Sequence, residues 1–229
     1  MKSTWLLAFI FITTMQISAK TIDKKIHKTF KVNEGTSLQL KHGDGNVEIT
    51  PWNKDVIDIK IVYQATFAGI HKLHPNNFEV EFEQRGDNIS VIGREPRVIG
   101  IGSFKTIDYE YSIKAPAYVD LVTEGIDGNV LIEEWQSNIQ TSIVDGDISI
   151  LDAVADKIKA VTIDGDIELK YISATIECQT IDGRIHLEEL ENVQCRAKTV
   201  DGDIRIKNAS GEFFARSVDG DIEILRTSA

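Results

Sequence analysis

Val144-Asp145-Gly146-Asp147-Ile148 returns as Ile163-Asp164-Gly165-Asp166-Ile167, Ile181-Asp182-Gly183-Arg184-Ile185, Val200-Asp201-Gly202-Asp203-Ile204 and Val218-Asp219-Gly220-Asp221-Ile222, at spacings of 18 or 19 residues. Self-similarity at a fixed short period is the mark of a stacked array, in which each unit buries its apolar face only against its neighbours. Aligned on the glycine, apolar residues fall two and four places after it (Ile148 and Ile150, Ile167 and Leu169, Ile185 and Leu187, Ile204 and Ile206, Ile222 and Ile224). Seven and five places before it stand Ile139 and Thr141, Ile158 and Ala160, Ile176 and Cys178, Cys195 and Ala197, Phe213 and Ala215. That alternation is strand periodicity with one face inward, so each unit holds two short strands joined at an Asp-Gly corner whose flanking Ile and Val residues are expected to fill the coil; seven places after the glycine, Ala153, Ile172, Leu190 and Ala209 mark a possible third side.

The frame extends upstream through Leu121, Thr123, Ile126, Gly128, Val130, Ile132 and Trp135, and again through Leu38, Leu40, Gly45, Val47, Ile49 and Trp52. The glycines Gly45, Gly128, Gly146, Gly165, Gly183, Gly202 and Gly220 therefore mark the structural turns of seven units. The expected fold is all-β: a single-stranded β-solenoid of 18–19-residue coils, right-handed by the general crossover preference. Its first unit spans 38–52, an antiparallel β insertion 53–120, and tandem units 121–229. Within the insertion, alternating segments over Val56–Ala65, Asn77–Gln84, Asn88–Ile92 and Thr106–Ala115 read as longer strands.

Composition narrows the function. The 229-residue chain has a net charge of -11 and a pI near 4.9, which argues against nucleic acid as a partner. Lys2, the apolar run Trp5 to Ile12 and the small-residue site Ile17-Ser18-Ala19 read as a signal peptide over residues 1–19. The expected mature domain, 20–229, contains no apolar run near the roughly 20 residues a transmembrane helix needs. Periplasmic, outer-surface and secreted locations all fit.

Phe30-x-Val32, the Gly45-x-Val47-x-Ile49-x-x-Trp52 unit, Lys114-Ala115-Pro116 and the tandem Asp-Gly-Asp-Ile units together resemble the bacterial putative-adhesin family of exported β-strand-repeat envelope proteins, a domain of unknown function. The resemblance spans nearly all of the expected mature chain. It implies a non-catalytic β-solenoid at the cell envelope, and it supplies no catalytic residues.

The aspartates before the glycines form a column, Asp127, Asp145, Asp164, Asp182, Asp201 and Asp219. Their carboxylates are expected to accept main-chain N–H groups across the corner. The alternative is a calcium ladder along Asp145, Asp164, Asp182, Asp201 and Asp219, since hard cations take six to eight oxygens. A second column, Asp147, Asp166, Arg184, Asp203 and Asp221, is interrupted by Arg184, which is expected to pair with Asp166 and Asp203. Outward files Lys159, Glu177, Arg196 and Glu168, His186, Arg205, Glu223 alternate in sign, as on a solvated wall. Trp52 and Trp135 are expected to pack inside the wide N-terminal end. Cys178 and Cys195 are diagonal neighbours, expected to remain buried thiols. His71 and His74 lie in a loop without a third ligand.

An active site should break the repeat and gather unlike groups, and none is apparent, so no enzyme and no cofactor are expected. The partner is an unidentified protein or glycan at the envelope. Self-association through the C-terminal coil, which ends at Leu225 and Arg226–Ala229, gives an alternative reading as a self-assembling scaffold. A polysaccharide-active enzyme is a third reading.

Overall fold

The computed structural model describes residues 19–68, 78–94 and 104–225; the expected signal segment, His71, His74 and the last four residues lie outside them. Fifteen strands make one continuous sheet that coils on itself, and no helix occurs among the described residues. One wall contains β3 (Asn46–Pro51), β9 (Val130–Trp135), the first halves of β11 (Ile148–Val161), β12 (Ile167–Gln179), β13 (Ile185–Lys198) and β14 (Ile204–Arg216), then β15 (Ile222–Leu225). The other contains β2 (Ser37–Lys41), β8 (Asp120–Glu124), β10 (Ile139–Ser142) and the second halves of β11 to β14. All these pairings are parallel.

The register sets like upon like. Val47, Val130, Ile148, Ile167, Ile185, Ile204 and Ile222 form one file, and Leu38, Leu121, Ile139, Ile158, Ile176, Cys195 and Phe213 another. Members of these files are almost wholly buried until the last coils, where Phe213 is half-buried and Ile222 exposed. β-Branched side chains suit such pleated walls, and their burial drives the stacking.

A second corner closes each coil, just before the apolar place seven after the glycine that the alignment marks as a possible third side. Six places after the glycine the chain takes the left-handed conformation at Glu134, Asp152, Tyr171, Glu189 and Asn208, with φ between 48° and 58°. The seventh residue then turns inward: Trp135, Ala153, Ile172, Leu190 and Ala209 lie in one file. Register shifts just beyond it, at Val154/Lys157, Ile172/Thr175 and Leu190/Val193, absorb the alternation between 18 and 19 residues. In the first unit this sixth place is Pro51, whose ring fixes a negative φ. The corner cannot form there, and the chain departs into the insertion.

Within itself the insertion is antiparallel, and it joins the solenoid walls by parallel pairing. β4 (Val56–Ala68) is antiparallel to β7 (Phe104–Ala115), and β5 (Glu79–Arg85) to β6 (Asn88–Arg94), as expected. But β7 lies parallel on β3, and β6 parallel on β2, extending each solenoid wall by one strand. Strand alternation shows which residues face inward; it carries no information on the direction of a neighbour. β1 (Ala19–Lys31) completes the longer edge, antiparallel to β4. Between the two extended walls sits an aromatic core: Tyr63, Phe78 and Tyr109 have ring centroids 5.0 to 5.1 Å apart, and Phe30 reaches Phe82 across the layers at 6.2 Å. Exposed Lys25, Lys28 and Lys31 line the β1 edge, where charge discourages further strand addition.

Candidate functional site

The Asp-Gly corner is built by the main chain. Each glycine N–H donates to the carbonyl of the aspartate one coil on, from Gly45 to Asp127 through Gly202 to Asp219, at 2.8 to 3.0 Å. Aspartate N–H groups donate the other way, as Asp164 does to Val144 O at 2.9 Å. The carboxylates of Asp127, Asp145, Asp164, Asp182, Asp201 and Asp219 stand outward in register and make no hydrogen bond or ion pair among the described residues. The donor-satisfying role expected of them belongs instead to the residue after the glycine. Asn46 accepts from Asn129 N–H, Asn129 from Asp147, Asp147 from Asp166, Asp166 from Arg184 and Asp203 from Asp221, all at 2.7 to 3.0 Å. A side chain at this place reaches the next coil's N–H; two places earlier, at the aspartate column, the N–H across the coil is already held by a carbonyl, as Asp164 N–H is by Val144 O.

The glycines are required by more than their positive φ. A Cβ on Gly146, Gly165, Gly183, Gly202 or Gly220 would overlap the carbonyl oxygen of the glycine one coil earlier. Beneath the corner, Thr162, Thr180, Thr199 and Ser217 donate their hydroxyls to glycine carbonyls at 3.0 to 3.2 Å. The same column begins with His42, Gly125 and Ile143. His42 is buried against Tyr111, with centroids 5.3 Å apart, in space that a side chain on Gly125 would fill. Burial pushes its pKa down to about 4, offset only in part by the Asp44 main chain.

The residues just before each Asp-Gly, expected to fill the coil, do not. Ile126, Val144, Ile163, Ile181, Val200 and Val218 are 45 to 67% exposed. A corner breaks the inward-outward alternation, so an apolar identity there does not fix direction.

On the outward wall, Arg184 forks onto one Asp166 oxygen through Nε at 3.1 Å and an η nitrogen at 2.7 Å. Burial raises the Asp166 pKa, but the hydrogen bonds and charge of Arg184 outweigh it and hold the carboxyl below its usual range. No hydrogen bond joins Arg184 to Asp203, so the expected two-sided pairing is one-sided. Arg205 meets Glu223 at 2.6 Å in its file, whereas Glu177 pairs with Lys157 rather than Lys159, at 3.6 Å. His186 lies 3.4 Å from Glu188.

Cys178 and Cys195 are free and buried on diagonal register positions. Burial raises both thiols, Cys195 to about 12, which keeps them protonated and poor nucleophiles. Trp135 is fully buried and donates Nε1–H to Val119 O at 2.9 Å. Trp52 differs: it is half-buried, donates to Val56 O at 2.6 Å, and carries the Lys54 ammonium 4.7 Å above its ring. Among the described residues, no three His, Cys, Asp or Glu side chains are placed to share a metal ion.

The surface is also concave at the second corner. A trough of about 710 Å³ crosses β11 to β14, with Asp152, Tyr171, Glu189 and Asn208 on one rim, Ser173 and Ser210 on the other. Its floor is Ile172, Leu190 and Ala209, three of the seventh residues. Sequence reasoning missed it because its left-handed residues are not glycines and share no type.

A family model described as Toastrack DUF4097 matches residues 35–228. Among solved structures, the chain is similar to a putative adhesin from Bacteroides fragilis, at 15% identity and a TM-score of 0.49, covering 88% of this chain and 97% of that one. A putative cell adhesion protein from Clostridium sporogenes is similar at 12% identity and a TM-score of 0.47, covering 90% and 100%. Among curated proteins none matches. No helix among the described residues is long and apolar enough to cross a membrane.

Proposed function

The chain belongs to the Toastrack DUF4097 family, and from that premise we propose that it is a non-catalytic, exported envelope protein with a binding or structural role. The observation that carries this reading is repetition itself. The same columns recur from coil to coil, Arg184 and Arg205 pair with carboxylates of neighbouring coils, and the buried thiols and His42 are withdrawn from chemistry. A wall of this kind presents a ligand rather than transforming it. The family resemblance and the signal-like N-terminus support the envelope location.

The test follows the full chain, tagged at its C-terminus, through cell fractionation, with mass spectrometry of its N-terminus. A chain beginning at Lys20 in the periplasmic, outer-membrane or medium fraction is expected. An intact Met1 chain in the cytosol overturns the reading. A second reading, a scaffold associating through the last coil, draws on Ile222 and Ile224, whose files are buried elsewhere but which are 43% and 45% exposed. Sedimentation at rising concentration should then show oligomers; a monomer throughout excludes it.

A further inference from the structure

We propose that the trough at the second corner is a binding site for a neutral glycan, with Tyr171 as its stacking platform. The inference rests on the binding role above and names the ligand class.

The first argument is conformational. Tyr171 holds φ at 58°, in the left-handed region, where a bulky residue is an outlier costing on the order of 1 kcal/mol. The other coils place Glu134, Asp152, Glu189 and Asn208 there. Such strain is usual where function holds it in place. Yet the ring returns little to the fold: it is 62% exposed and, among the described residues, stacks on no other ring and carries no cation. It stands beside the trough with a bare face.

The second argument is chemical. The left-handed corner turns the sixth and eighth residues outward around the seventh, giving an apolar floor of Ile172, Leu190 and Ala209 between rims that are polar except at Val154. Those rims offer carboxylates at Asp152, Glu189 and Glu191, an amide at Asn208, and hydroxyls at Ser173 and Ser210. Asn208 already donates to Glu189 at 2.7 Å, and Ser210 Oγ accepts from Asn192 N–H at 2.9 Å, so these groups are held in place before any ligand arrives. No lysine or arginine lines the trough, and its carboxylates repel phosphate, sulfate and uronate. A pyranose ring presents an apolar C–H face and a girdle of hydroxyls. The first suits an aromatic ring and the second suits convergent carboxylate, amide and hydroxyl groups. Four coils at strand spacing span on the order of 15 Å, enough for three or four sugar rings.

Isothermal titration calorimetry of the full chain decides it, using cellotetraose, chitotetraose, maltotetraose and mannotetraose, with tetragalacturonate and tetralysine as the acidic and basic alternatives. At least one neutral tetraose is expected to bind with a Kd of about 1 mM or tighter. Tyr171→Asn, which suits the left-handed backbone, should lose at least tenfold in affinity while its Tm rises; Tyr171→Trp should keep binding. The proposal falls if no neutral tetraose saturates by about 10 mM. It falls equally if Tyr171→Asn binds as the parent does, or if only tetralysine or tetragalacturonate binds. Should fractionation find the chain in the cytosol, the envelope role fails and calorimetry still decides the trough. Should an exported chain bind no glycan, only the trough assignment fails.

Discussion

At both corners of a coil the chain takes a positive φ, yet only one of them is written in glycine. At the Asp-Gly corner successive turns nest so closely that each glycine sits against the carbonyl of the one before it, leaving no room for a Cβ. At the second corner the same sign of φ occurs at Glu134, Asp152, Tyr171, Glu189 and Asn208, and their side chains project away from the stack. The comparison separates two reasons for a glycine. Dihedral angle alone imposes a modest cost that many residues can bear, whereas close approach of a neighbouring backbone admits one residue only.

The largest test of that distinction is Gly165→Ala, whose methyl would overlap the Gly146 carbonyl. A loss of about 3 kcal/mol or more, or failure to fold, is expected by chemical denaturation. A loss near 1 kcal/mol would show that dihedral strain was the whole constraint there.

Next in size is His42, at the head of the column beneath the glycine corner. Its folded pKa of about 4 lies below the ordinary value of 6.5, so the unfolded chain takes up the proton first on acidification. The stability it contributes is present above pH 6.5 and is lost as pH falls toward 4, about 3 kcal/mol over the full interval. Urea denaturation of the parent and His42→Leu at several pH values in that window should show the parent losing more stability than the variant; equal slopes would refute the assignment.

At the second corner the sign reverses. Tyr171→Asn should raise stability by about 0.5 to 1 kcal/mol, because Asn tolerates the left-handed backbone and the ring packs little. A loss of stability would mean that the ring supports the corner. The smallest effect expected is at Arg184, where the ladder of side-chain acceptors is interrupted. Arg184→Asn would supply an amide oxygen to the Asp203 N–H as Asn129 does for Asp147, while losing the exposed ion pair with Asp166. These opposed terms should leave stability within about 0.5 kcal/mol of the parent.

The same comparison explains how much was legible in the sequence. Wherever a residue lies mid-strand, period-two alternation gave its direction, and the files through Ile148, Ile150 and Ile139 all face inward. At corners alternation lapses, and there the reading went astray: Ile163 and its equivalents turn out, and the acceptor role passes from Asp164 to Asp166. The Asp-Gly corner was visible because close packing enforces one residue type at seven places. The left-handed residue of the second corner, and the trough along it, left no such imprint, since Glu, Asp, Tyr and Asn share only an ability to point into water. Pro51 was the one available signal, as a residue unable to adopt the angle its equivalents share.

The nesting of the first unit also dictates an order of assembly. Leu38 lies between Ile89 and Leu121, and Val47 between Tyr111 and Val130, so the strands β2 and β3 acquire both neighbours only after far later residues have been made. The tandem coils need only the next turn of chain to pair. Contacts this local form fast, and the distant ones carry the greater loop-closure cost. A molecule synthesised from its N-terminus should therefore begin folding near its middle, propagate toward β15, and seal its beginning last.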